Sequence, residues 1–333
     1  MLRRRFCFSW MLMVIAGLCV TVSAAQAGEI KLALDSPPDL EKSGTYVWAR
    51  AFADHLTANK MVVKEYPVNA LGNEAERLDQ ASQGLLEVSM SDLSRAGQLE
   101  PAIMGFMLPF LWDDMEHLDR ALLTSGLLKG FNEKMSKKGV RVLSLVALGN
   151  AVGIANTKKP IRSVEDMKGM RMRAMDKFQT KFYEQWGCNS VVVPWPEIYN
   201  ALQTGVTDGY LNPPWVPIMF KHTELIKYFT QAAISPSLRI ALASEEWYST
   251  LSKKDKEVVD AAVLAANAAN RKWVADSEEK ALAALKAGGV EVSPLAQADR
   301  AKFTELSRKA YPEIIPVEYV PMFVDAAEKA RKQ

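Results

Sequence analysis

Apolar residues recur along the chain with two alternating periods. Leu86, Val88 and Met90 alternate with Glu87, Ser89 and Ser91, the period of two that predicts a strand with one polar face. Tyr46, Ala49, Ala53 and Leu56 recur at helical spacing after a strand-like stretch at 29–34. The same rhythm predicts strands at 61–66, 170–174, 190–193 and 210–212. Residues 140–146 are read as an apolar run, interrupted by Arg141 and Ser144, the pattern of a central strand covered on both faces. Helices are predicted over 74–83, ending at Gly84, and over 114–137, closing at Gly139. Phe178, Phe182 and Trp186 fall four apart on one helix face, and Gly187 stops that helix. Ser163 and Asp166 have the spacing of a capping arrangement, and Pro196 suits the first position of a helix ending at Gly205.

Strands alternating with helices of about ten residues imply an α/β architecture with largely parallel sheets. One stretch departs from the rhythm. From Ser252 to Ala287 there is neither Gly nor Pro, and Gly288-Gly289 follows. A helix over 253–287 would span roughly 50 Å at 1.5 Å per residue, longer than one small domain, so it either breaks or bridges two.

Residues 1–27 belong to another class of pattern. Arg3, Arg4 and Arg5 precede an apolar stretch to about residue 22, and small residues end in Ala25-Gln26-Ala27. A basic start, an apolar middle and an A-x-A end form a secretory signal peptide, with cleavage expected before Gly28 and a periplasmic destination. A membrane anchor is the alternative. The segment also changes the charge. The 333 residues carry 41 Lys+Arg and 39 Asp+Glu, net +2, and losing three arginines brings the rest to −1. That balance gives no ground for a nucleic-acid partner. With 49% hydrophobic and 24% charged residues, a chain of this length needs neither disulfide nor metal to fold. Cys188 is the one cysteine beyond residue 27, so it is read as buried and inert.

Catalytic signatures are lacking. The sequence has no Gly-rich phosphate loop, no G-x-S-x-G, no HExxH and no CxxC, so no cofactor is called. Asp113, Asp114, Glu116 and His117 are the one acidic cluster with a histidine, and a charged first helical turn explains them better than a metal. The three histidines, His55, His117 and His222, are read as lying in polar surroundings, away from any nucleophile. Positive signals gather where the second-half strands end, the place where α/β sheets bind ligands. Arg173 ends one strand and Asn212 another, while Trp195 and Glu197 follow a third. An arginine fork matches a carboxylate with two parallel hydrogen bonds, although a surface ion pair would also use Arg173.

Three runs occur in order: Pro160-Ile-Arg-Ser-Val-Glu-Asp-Met-Lys-Gly-Met-Arg-Met-Arg173, Pro194-Trp-Pro-Glu-Ile-Tyr-Asn-Ala-Leu-Gln203 and Gly205-Val-Thr-Asp-Gly-Tyr-Leu-Asn-Pro213. With Tyr66-Pro67, Leu71-Gly72-Asn73-Glu74, Leu108-Pro109-Phe110-Leu111 and Ser244-Glu-Glu-Trp247, they resemble the DctP-type solute-binding proteins of tripartite ATP-independent periplasmic (TRAP) transporters. The resemblance implies a two-domain periplasmic-binding-protein clamshell of α/β class, with strands crossing the hinge and a long helix packed across both domains. It divides the chain into 28–150 plus about 238–278 and 151–237 plus about 279–333. It also implies that a small organic acid is captured and handed to a small and a large TRAP membrane subunit, with no chemistry done on it.

By the same resemblance Arg173 pairs with the ligand carboxylate and Asn212 supports it. Glu74, Asp92 and Asp35 fall at first-domain positions lining the cleft, although Glu74 equally serves a helix start and Asp92 a solvated strand end. Where many members carry a second arginine, this chain reads Leu148-Gly-Asn-Ala-Val-Gly-Ile-Ala155. That departure, with Trp195, Tyr210 and Trp215 nearby, favours a monocarboxylate, aromatic or aliphatic, although packing explains each aromatic as well. A binding protein for an ATP-driven importer or a sensor kinase, and a secreted α/β hydrolase, remain the alternatives.

Overall fold

The computed structural model describes residues 28–332; the signal-peptide reading of residues 1–27 lies outside them. The strands in chain order are β1 (Ile30–Ala33), β2 (Val63–Tyr66), β3 (Val88–Asp92), β4 (Val140–Ala151), β5 (Gly153–Asn156), β6 (Arg171–Ala174), β7 (Asn189–Val192), β8 (Gly209–Asn212), β9 (Tyr228–Gln231), β10 (Pro236–Ser244) and β11 (Glu291–Pro294). They form two sheets, ordered β2-β1-β3-β10-β4 and β11-β9-β5-β8-β6-β7. Each sheet with its helices makes one lobe, and the chain crosses between the lobes at Ala151–Gly153 and again between β9 and β10.

Those crossings overturn two expectations. The sheets are mixed, because β10 runs antiparallel to β3 and β4, and β5 antiparallel to β8 and β9. The apolar strand β4 is an edge strand, and β10 holds the position beside β3. Its burial comes instead from packing against the helices Lys253–Ala287 and Leu127–Met135. Glycine permits the first crossing, since a Cβ at Gly153 would stand 2.6 Å from the Thr230 carbonyl oxygen on β9.

Most helices begin and end where capping chemistry puts them. Asn73 and Glu76 form a capping box at the start of Glu74–Ser82. Asp114 caps Met115–Ser125 by accepting from the His117 amide. The helix expected over 114–137 is two, Met115–Ser125 and Leu127–Met135, because Gly126 adopts a left-handed φ of 66°. The turn after Ser163 is a short 3₁₀ segment, and Pro196 lies within another, Trp195–Glu197, before the helix Ile198–Gln203.

The long helix is continuous over Lys253–Ala287, 35 residues. It packs on the helix Gly44–Ala58 and β4 in the first lobe, and on the helix Trp215–Met219 and β11 in the second. Buried Asn270 pins it, donating to the carbonyls of Gly44 (2.8 Å) and Ala147 (2.9 Å) and accepting from the Ala147 amide. The last helix, Val320–Arg331, packs on Met115–Ser125, which sets its residues against the first lobe rather than the second. There His117 is buried, its Nε2 2.8 Å from the Ala327 carbonyl oxygen, so the polar setting read for it is corrected. His222 is buried too. Cys188 is buried, and burial pushes its thiol up to about 12.

Candidate functional site

Between the lobes lies a cleft of about 740 Å³, part of it open to solvent. Its first-lobe wall comes from the end of β3 (Asp92), from β10 (Ser237, Leu238, Arg239) and from Met104 and Met107. Its second-lobe wall is the end of β8 (Leu211, Asn212) and the junction of β6 with the helix Lys177–Gln185 (Met175, Asp176, Phe178, Gln179). Both sheets therefore present strand ends to the cleft, as ligand sites in α/β sheets do.

In the second lobe, Arg173 sits on β6, paired in register with Tyr210 of β8 and Val191 of β7. It is 6% exposed. Its Nε donates to the Val193 carbonyl at 2.9 Å, and its guanidinium lies 5.7 Å from the centre of the Trp195 ring. Among the described residues no hydrogen bond or ion pair engages its terminal nitrogens. Burial lowers its pKa, the mark of a cation held without a partner of its own. Trp195 meets Tyr210 edge-on, and the Tyr210 hydroxyl lies 2.9 Å from His222 Nδ1. These aromatics wall Arg173; they do not line the cleft.

In the first lobe, the three carboxylates singled out from the sequence converge on a group that was missed. Arg239 of β10 donates from Nε to Asp35 (2.6 Å), from Nη1 to Asp92 (3.0 Å) and from Nη2 to Glu74. Register puts Arg239 opposite Asp92. Burial alone would lower the Arg239 pKa, but the charges of Glu74, Asp35 and Asp92 raise it above the ordinary value. Burial likewise pushes Asp92 up, yet Arg239 and the Ser94 donors hold it low. The sequence carried a signal for this residue: Arg239 is the one charge in the otherwise apolar and small-residue strand Pro236–Ser244.

Of the eight residues read from the sequence, Asp92 and Asn212 line the cleft. Arg173 lies behind the second-lobe wall with Trp195 and Tyr210 packed on it. Asp35 and Glu74 are engaged with Arg239. Trp215 lies elsewhere, in a groove with Leu40, Trp273 and the long helix. Asp176 and Gln179 line the cleft and were not foreseen; Asp176 announced only a helix start.

A family model described as "Bacterial extracellular solute-binding protein, family 7" (DctP) matches residues 36–316. The sialic acid-binding periplasmic protein SiaP of Vibrio cholerae is 27% identical over 273 residues, covering 80% of this chain and 83% of SiaP. Among solved structures, the sugar acid binding protein DctPAm of Advenella mimigardefordensis, in complex with galactonate, superposes with a TM-score of 0.82 at 27% identity, over 92% of this chain and 99% of that one. A TRAP periplasmic solute binding protein of Polaromonas sp. JS666, bound to D-erythronate, gives 0.80 at 25% identity, over 90% and 98%. The two sheets, the crossing strands and the bridging helix are thus the two-domain clamshell of these proteins. By sequence and by fold, the chain belongs to the bacterial extracellular solute-binding proteins of family 7.

Proposed function

We propose that this chain captures a small organic acid in the periplasm and delivers it, unchanged, to the small and large membrane subunits of a TRAP transporter. The observation that carries the reading is Arg173: a buried guanidinium whose terminal nitrogens have no partner among the described residues, set behind the cleft wall of a fold whose solved relatives hold galactonate and D-erythronate. A ligand carboxylate would complete it through paired charge-assisted hydrogen bonds, with Asn212 bracing the same group. Closing the cleft excludes water and strengthens that pair, so the ligand favours the closed form. The moving units would be 28–150 with about 238–278, joined by the Val320–Arg331 helix packed on the first lobe, against the rest, hinged at the crossings after β4 and before β10. Residues 1–27 would direct export and be removed.

The walls support a monocarboxylate with an aliphatic or aromatic body. Met104, Met107, Leu148, Val152, Phe178 and Phe182 line the cleft, and Arg239 already has three carboxylates of its own. Calorimetry with the acid that co-purifies, identified by mass spectrometry, tests the anchor. Arg173→Ala should weaken binding about 10- to 100-fold, the weight of a charge-assisted pair. Unchanged affinity would remove Arg173 from the site. X-ray scattering tests closure, with compaction expected on adding the acid.

A further inference from the structure

Asp176 stands where β6 turns into the helix Lys177–Gln185. As the cap of that helix it uses one oxygen, Oδ1, which accepts from the amides of Phe178 (3.0 Å) and Gln179 (2.8 Å). The other oxygen, Oδ2, is buried and has no partner among the described residues, while the side chain lines the cleft. A stripped carboxylate oxygen without a donor is costly and needs a reason. Capping does not supply one, because Asn or Ser would cap as well through a single oxygen.

The surroundings point to a donor brought from outside. Gln179 turns its Oε1 back to the Met175 amide (2.7 Å), which leaves its amide N–H₂ as the free end of a side chain that also lines the cleft. The charged groups that act on Asp176 are Asp92 from the first lobe and Arg173 from its own strand. Neither donates to Oδ2: Asp92 is engaged with Arg239 and the Ser94 amide, and Arg173 with the Val193 carbonyl. Burial raises the Asp176 pKa, and the Asp92 charge adds to it, against the pull of the capping amides and Arg173. The charges of Arg173 and Asp176 act on each other, which puts a donor that reached Oδ2 on the same side of the cleft as a carboxylate held by Arg173.

We propose that Asp176 sets specificity by receiving a hydroxyl or ammonium group that the bound acid carries beside its carboxylate, so that 2-hydroxy or 2-amino acids are preferred to plain acids of the same skeleton. This rests on the organic-acid reading above. A ligand lacking the donor leaves Oδ2 buried and unpaired, and sites built this way reject such analogues strongly.

Calorimetry with the chain from residue 28 onward tests it, using two series. One is 3-phenylpropanoate, 3-phenyllactate and phenylalanine; the other is 4-methylpentanoate, 2-hydroxy-4-methylpentanoate and leucine. In at least one series the hydroxy or amino acid should bind about tenfold or more tighter than the plain acid, and whichever wins identifies the donor. In Asp176→Asn and Asp176→Ser, which both keep a capping oxygen, the preference should collapse, the hydroxy or amino acid losing about tenfold relative to the plain acid in the same variant. Melting curves confirm that each variant is folded. Equal binding across a series in the unmutated protein, or a preference that survives in both variants, overturns the assignment of Asp176 alone. Failure of all six acids to bind, together with unchanged affinity of Arg173→Ala for the acid that co-purifies, overturns the carboxylate reading on which it rests.

Discussion

Each lobe holds one arginine near the cleft, Arg173 buried and Arg239 largely enclosed, and the two are treated oppositely. Arg239 in the first lobe meets Asp35, Glu74 and Asp92, each from a different element. Arg173 in the second lobe meets one backbone carbonyl and an indole face. A saturated guanidinium fixes the elements that surround it; an unsaturated one holds binding energy that folding has left unused. The lesson is that a charge on the cleft side of a lobe is informative through what it lacks. The three acids singled out from the sequence were brought together, but as the partners of Arg239, and the group with open valences lies in the other lobe.

The contrast is open to attack, most severely at Arg239. Arg239→Met should leave three carboxylates close together with no central cation and cost about 3–5 kcal/mol of stability, as removing one member of a buried ionic cluster does. Denaturant unfolding measures it, and a loss under about 1 kcal/mol would mean that Arg239 is no keystone. Acid should then separate the lobes. Burial holds His222 down at about 4, below its ordinary 6.5, so stability is full above pH 6.5 and falls as pH drops toward 4, by on the order of 3 kcal/mol. Asp92 is held below the usual carboxylate range, so its contribution is lost only at lower pH. Hydrogen exchange from pH 7 to 4.5 should therefore loosen β8 and the Trp195–Tyr210 wall before β3 and β10. Uniform loosening would erase the distinction.

Next in size comes Arg173→Met, which should weaken acid binding by about 1.5–3 kcal/mol yet leave unfolding within about 1 kcal/mol of the unmutated chain, because a partnerless buried cation adds little to folding. A large stability loss would make the two arginines alike. The smallest effect is at Asp176. Its raised pKa means that the protonated form is the one that folding favours, so stability is greatest at low pH and is lost as pH rises through the folded-state pKa. Asp176→Asn should accordingly gain about 1 kcal/mol near pH 7, and the gain should vanish near pH 3. An unchanged difference at both pH values would show that the side chain carries no charge penalty.

How much of this was legible depended on whether the cause was local. The helix over 253–287 could be read because helix interiors exclude Gly and Pro, and Ser252 and Gly288 bound it. The break at Gly126 is also local, but Gly130 four residues later sits inside a helix unharmed, so glycine alone does not say which of two positions bends. Strand order was not legible: β4 reads as central because it is mostly apolar, yet its cover comes from helices, the largest share from Lys253–Ala287, distant in sequence. His117 and His222 look polar in their flanking residues and are buried by the Val320–Arg331 helix and by Tyr210. Arg173 and Asn212 were singled out through the order of the motifs; Asn212 lines the cleft, whereas Arg173 lies behind its wall. Asp176 was not singled out: an Asp before a helix reads at most as a cap, and a stripped oxygen is a property of the space around it.

The placement of β10 has a consequence for how the protein is made. The first sheet has β1 and β3 before residue 93, but β10, which lies between β3 and β4, begins at Pro236, and the helix that covers Gly44–Ala58 ends at Ala287. A chain emerging from its N-terminus cannot close the first lobe until most of its length is out, since the pairings that complete it are among the most distant in sequence. Long-range pairing of this kind is slow. Under the export proposed for residues 1–27, that delay would keep the early segments unfolded until most of the polypeptide has emerged.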